Sequence, residues 1–430
     1  MKAISFLLRK RYIEFSLLVS ALIALSATAQ EKTIGRTALY AGVGAELIRY
    51  DLITKDGTLV KREFVTLPAN IQEAWTHPSK KFLYVAWSNG GASYTSPGGT
   101  APRGDQHGIS VYRIDPLSGA LTLHGKPVSL PSRPIYLTTD VDGKHVITAH
   151  NVPSALVVHR ILPDGTVGEE VKQTARLDFG IYGHQVRVDP SNRSVILVTR
   201  GNGPTPTKPE DPGALKIFAY ENGTLSPRTM IAPNGGYNYQ IRHLEFHPSG
   251  KWDYATLERQ NKLHVYHRSA DGTLSQSPIF SKDTLADPSA VRNGQAASSI
   301  HVHPSGRFIY VANRAGGTVE FEGERVFAGG ENTIAVFSIK EDTGEPILIQ
   351  TVDTHGFQPR TFALDGTGST LAVANQTSGR VRDGSRVRTV PASLALFRIG
   401  ADGRLEFAHK YDIETGGSRS LFWTGVVSLP

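Results

Sequence analysis

Apolar and polar residues alternate with period two in short runs along the chain, and the runs stop at clusters of Pro, Ser, Asp, Asn and Gly. Such alternation places apolar side chains on one face of a pleated strand, and turn residues at both ends argue for strands over helices. The stretch from Ile241 to Leu274 shows the unit most clearly. One run ends at His247-Pro248-Ser249-Gly250, a second leaves that turn, a third reaches Asp271-Gly272, and a fourth starts at Leu274. This reads as a four-stranded antiparallel meander.

The first turn recurs at His77-Pro78-Ser79-Lys80, Asp140-Val141-Asp142-Gly143, Asp189-Pro190-Ser191-Asn192, His303-Pro304-Ser305-Gly306 and Asp365-Gly366-Thr367-Gly368, six copies with the one at His247. The later hairpin has one copy more, beginning near Ala45, with the strand-like TALYAGVG before it. SRSLFWTG follows the last full unit. Six whole units and two complementary fragments predict an all-β, seven-bladed β-propeller with four-stranded antiparallel blades, the last blade closed by strands from both termini. A pair of β-sandwiches is the alternative, but it gives no reason for a fixed period.

Residues 30–430 read as a single propeller domain. Ahead of it, Lys2, Arg9, Lys10 and Arg11 flank the apolar stretch Phe15 to Leu25, and Ala27-Thr28-Ala29 offers a small-x-small site. Residues 1–29 therefore read as a secretory signal peptide, which implies a periplasmic or secreted protein with no membrane attachment after cleavage. A retained anchor is the other reading of the same leader. The formal charge of +7 falls to about +4 without it, and the arginines are scattered rather than striped with aromatic residues, so nucleic acid is not implied. The chain has no cysteine, which removes disulfides, thiol nucleophiles and thiolate metal sites together.

If strands are counted outwards from the axis, the one-to-two and three-to-four turns share one face, and the remaining loops share the other. The long insertions all fall on this loop face: Asn89 to Gly108, Gly201 to Gly213, Ala315 to Asn332 and Thr377 to Ala392. Binding residues concentrate on such loops. His77, His247 and His303 stand on the tight-turn face, where they are expected to cap turns. Two columns open onto the loop face instead. Strand one begins with Gln72, Ile135, His184, Arg242, Ser298 and Arg360, and strand two ends with Ser88, Asn151, Arg200, Glu258, Arg314 and Gln376. Arginine outnumbers carboxylate here, and surplus guanidinium suits a carboxylate, a phosphate or a developing oxyanion. Rim salt bridges on Glu258 are the plainer reading. His243 and His301 fall on the other side of their strands by parity, either as core histidines or as further substrate contacts. The sequence contains no nucleophile elbow, P-loop, His-Glu-x-x-His or dinucleotide fingerprint, and it suggests neither metal nor cofactor.

IRHLEFHPSGKWDYATLER, SIHVHPSGRFIYVANR and FQPRTFALDGTGSTLAVANQ resemble successive units of the β-propeller lactonase family, which includes propeller-type 6-phosphogluconolactonases and carboxy-muconate cyclases. GHQVRVDPSNRSVILV places His184 where that family has a histidine assigned to chemistry. Gln240-Ile241 replaces the family's Gly-Pro, and Arg200 replaces its acidic or amide residue. The resemblance implies a small-molecule lactone or anionic organic acid as substrate, and a monomer is expected. The expected roles are His184 as general base, with Arg242, Glu258 and Arg314 completing the catalytic set. Arg200, His243, His301, Arg360 and Gln376 would bind substrate. Ring closure of a muconate-type acid on the same residues and a non-enzymatic propeller that binds a protein or glycan are the alternatives.

Overall fold

The computed structural model describes residues 36–91, 103–417 and 419–429. The leader and the middle of the insertion after Asn89 lie outside the described residues. Among the described residues, seven four-stranded sheets form, and the first takes an extra two-residue strand, Val128–Ser129. The innermost strands are Asn70–Thr76, Pro134–Thr139, Gly183–Val188, Ile241–Phe246, Ala296–Val302, Phe357–Leu364 and Leu421–Ser428. These begin blades 1 to 7 in that order.

Blade 7 joins the two ends of the propeller. Its inner strand Leu421–Ser428 pairs antiparallel with Thr37–Val43, and Glu46–Ile53 and Thr58–Thr66 complete the sheet. Such closure leaves no open ring edge at which a blade could splay. The alternating apolar positions do what their period predicts. Seven buried clusters form, one between each pair of neighbouring blades, such as Trp252, Tyr254, Ile300 and Phe337 between blades 4 and 5.

Two sets of polar latches reinforce those interfaces. Tyr84, Tyr254 and Tyr310 donate their buried hydroxyls to the carbonyls of Gly165, Gly344 and Gly403, each in the three-to-four turn of the following blade. On the same face, His247 accepts the Ser249 N–H at Nδ1, so its Nε2 carries the proton, and that nitrogen lies 2.8 Å from the Gly306 carbonyl of blade 5. His77 and His303 repeat the arrangement with Gly143 and Gly368. Gly306 has φ +73° and a Cβ there would stand 2.9 Å from the His247 ring, so both conformation and space call for glycine.

One element departs from the sequence pattern. The fourth strand of blade 4 is Phe280–Asp283, and Leu274 makes only an isolated bridge to Arg268. Pro278 supplies no N–H and restricts Ser277, so the ladder resumes beyond it. Two of the loop-face insertions fold as hairpins of their own, Thr318–Phe321 with Glu324–Phe327 and Gly379–Asp383 with Arg386–Val390.

Candidate active site

Every innermost strand slips register at the same height. The extra residue is Gln72 in blade 1, Ile135 in blade 2, His184 in blade 3, Arg242 in blade 4, Ser298 with Ser299 in blade 5, Arg360 in blade 6 and Phe422 in blade 7. A bulge leaves its extra residue outside the ladder and re-aims its side chain. Sevenfold repetition makes a collar of such residues near the axis on the loop face, and six of its positions form the first sequence column.

Three arginines from three blades meet on one carboxylate in this collar. Arg200 Nη1 donates to Glu258 Oε2 at 2.7 Å, Arg314 Nη2 donates to Oε1, and Arg242 Nε lies 3.2 Å from Oε1 without hydrogen-bond alignment. Arg242 is 1% exposed and Glu258 4%. Burial alone would raise the Glu258 carboxyl, but Arg200, Arg314 and Arg242 outweigh it and hold it far below the ordinary carboxylate range. It is therefore ionised, and it neutralises one of three positive charges. Arg360 adds a fourth. Its guanidinium lies 4.0 Å from the Phe422 ring centre, its Nε has no hydrogen-bond partner, and its backbone carbonyl is held by the Ser298 and Ser299 hydroxyls. Gln376 is half-buried at the end of its strand.

His184 sits inside this positive field, 5% exposed, with Nδ1 shielded from solvent and bonded to nothing. Burial, then the charges of Arg242, Arg360, Arg200 and Arg314, push its imidazole well below the ordinary histidine range. A neutral ring with a free nitrogen results. Such a ring can take a proton, though less avidly than an exposed histidine.

The model of a family described as "Lactonase, 7-bladed beta-propeller" matches residues 34–389. The chain belongs to this lactonase family. Proteins named 6-phosphogluconolactonase from Pectobacterium carotovorum and Bacillus subtilis are similar to it. The first is 28% identical over 330 residues, 76% of this chain and 83% of that protein. The second is 26% identical over 385 residues, covering 85% and 96%. Among solved structures, the periplasmic gluconolactonase of Pseudomonas aeruginosa superposes with a TM-score of 0.68 at 20% identity, over 92% of this chain and all of that one. At that identity the likeness speaks to the fold.

In this lactonase-family propeller, the structure divides the predicted residues into two groups. His184, Arg200, Arg242, Glu258, Arg314 and Arg360 share the collar. His243 borders it, both ring nitrogens 3.5 Å from Arg242 Nη1, while His301 stands away from it, and the parity that set them on the far side of their strands is interrupted by the bulges at Arg242 and Ser298-Ser299. Both line an axial cavity of about 450 Å³ that reaches the tight-turn face. The His243 ring lies 5.1 Å from that of His184, and His301 Nδ1 lies 3.5 Å from Glu245. His243 thus forms a wall between collar and cavity.

Three functional candidates escaped the sequence columns. Arg133 is 2% exposed and donates to Gln72 Oε1 at 2.8 Å and Asn151 Oδ1 at 3.2 Å, so two column residues serve to hold it. Its position two residues ahead of Ile135, next to Pro134, was the available signal. Glu73 and Glu245 lie beyond the collar positions, deeper along their strands. Among the described residues, no three His, Asp or Glu side chains are grouped as metal ligands would be, and no helix is long and apolar enough to cross a membrane.

Proposed function

We propose that the protein is an exported, metal-independent and monomeric lactonase that hydrolyses a sugar-type lactone at the arginine collar. The observation that carries this reading is four guanidinium groups from four blades around a single carboxylate, beside a neutral histidine with an unbonded nitrogen. Family membership and the names of the curated relatives support the reaction class. The basic, apolar, small-residue leader supports export.

In this reading, water attacks the ring carbonyl carbon as His184 accepts its proton. The carbonyl oxygen becomes negative against Arg242 and Arg314, whose donors face it in a site largely closed to water. Collapse of the intermediate breaks the ring C–O bond, and His184 returns the proton to the departing alkoxide. The products are a carboxylic acid and an alcohol on one chain. Glu258 fixes the positions of three arginines, and Arg200, Arg360 and Gln376 hold the rest of the substrate. The arginines that weaken His184 as a base are offset as negative charge develops on the substrate, so the imidazole gains proton affinity as the reaction needs it.

A panel of sugar lactones, phosphorylated and not, assayed on the purified chain without its leader tests the proposal. Consumption of at least one, lost in His184→Ala, is the expected result. Wild-type turnover in that variant would remove the base assignment. Consumption of an unsaturated dicarboxylic acid with no lactone hydrolysed would move the protein to the cyclase reaction. Binding of a protein or glycan with neither turnover would leave it a non-enzymatic propeller.

A further inference from the structure

We infer that the axial cavity on the tight-turn face is a second ligand site, built for a neutral polyhydroxylated ring of sugar size. The cavity reaches that face between the strand-end residue Thr76 and the turn residues Pro304 and Gly366 and runs inwards to His243. Its volume of about 450 Å³ lies inside the usual range for small-molecule sites, roughly 300–1,000 Å³. Aromatic rings of Trp75, Tyr136, Phe362 and Trp423 line it, with a few polar groups set among them. That combination gives apolar faces for the C–H side of a sugar ring and hydrogen-bonding groups for its hydroxyls.

The charges select against ions of either sign. Glu245 is locked in a two-pronged pair with Arg187 at 2.8 and 2.9 Å, so its charge is cancelled within the wall. Arg187 also lies 5.3 Å from the Trp75 ring centre, which places a cation already against that ring. Glu73 accepts the Trp423 indole N–H, and burial pushes its carboxyl up to about 8, so at neutral pH it is mostly a neutral acid with an O–H to donate. Asp365 is engaged with the backbone N–H groups of its own turn. Thr361 Oγ1 is shielded from solvent and has no hydrogen-bond partner. An anion would find the Arg187 guanidinium already committed to Glu245 and gain no free cation in exchange for its water. A neutral polyol can satisfy the Thr361 hydroxyl and the Glu73 acid together.

The cavity adjoins the collar at His243 and Ser299, but none of its polar groups carries a step of the proposed lactone hydrolysis. Titration of D-glucose and of gluconate into the chain without its leader, followed by heat and by tryptophan emission, tests it. Two of the four tryptophans line the cavity, so an emission change is expected with saturable glucose binding. Gluconate is expected to bind at least tenfold more weakly. Thr361→Val, a near-isosteric change, and Glu73→Ala should each weaken glucose about tenfold, while Arg314→Ala leaves it unchanged. No saturable glucose binding up to ~100 mM would overturn the inference. So would equal binding of gluconate, or binding lost in Arg314→Ala and kept in Thr361→Val, which would place the sugar in the collar. Loss of lactone turnover in His184→Ala bears on the collar alone.

Discussion

Histidines stand at both ends of this propeller, and their surroundings differ in one decisive respect. On the tight-turn face His77, His247 and His303 have both ring nitrogens engaged, one with a serine of their own turn and the other with a glycine carbonyl of the next blade. On the loop face His184 has a buried nitrogen with no partner, among arginines that exceed their carboxylate. A polar group buried and satisfied contributes to stability, whereas one buried and unsatisfied costs stability that the folded chain must offset elsewhere. The blades are clamped at one face, and uncompensated polar groups are held at the other.

The comparison breaks or sharpens first at His184. His184→Ala should lower kcat on an accepted lactone by about 10²–10⁴-fold with little change in thermal midpoint, because the ring supplies a proton acceptor and few bonds. A large drop in midpoint with unchanged kcat would put His184 with the clamping histidines. Next comes Glu258→Gln, which leaves three closely set guanidinium groups without their counter-charge. A loss of about 3 kcal/mol in urea unfolding is expected, partly restored by added phosphate, which can occupy the arginines. No effect of phosphate would show the collar closed to anions.

Glu73 probes the cavity behind the collar through pH. Its carboxyl is raised from 4.5 to about 8 by burial, so its contribution is full below the lower value and is lost as pH climbs through the upper one. Between those limits the wild type should lose up to about 5 kcal/mol relative to Glu73→Gln, measured by unfolding at each pH. Parallel curves would mean that the carboxyl titrates as if in water. The smallest effect belongs to the clamp: His247→Ala should cost about 1 kcal/mol and leave kcat unchanged, since it removes one hydrogen bond to blade 5 and those within its own turn, far from the collar.

Much of the architecture was legible before any coordinates. Turn residues cannot be exchanged freely, so the repeated His-Pro-Ser-Gly and Asp-Gly signals marked the blades, and the surplus hairpin near Ala45 marked the blade shared by the termini. The columns through His184, Arg242 and Arg360 and through Arg200, Glu258 and Arg314 followed from counting in register. Arg133 did not, because it enters the collar from outside the strand that was counted. Glu73 and Glu245 did not, because nothing in their local sequence separates a carboxyl facing an axial cavity from one on a solvated strand. His243 and His301 were assigned to substrate with the collar residues; both line the axial cavity, and His243 also touches Arg242 and His184 of the collar.

The sequence by itself determined the number of blades, the face on which each turn lies and the residues that return to the axis, because strand period and turn chemistry are local. Only the tertiary structure decided which way those residues point. A single extra residue in each inner strand rotates the side chains that follow it, and that slip depends on how the strand pairs with its neighbour, which no run of adjacent residues encodes.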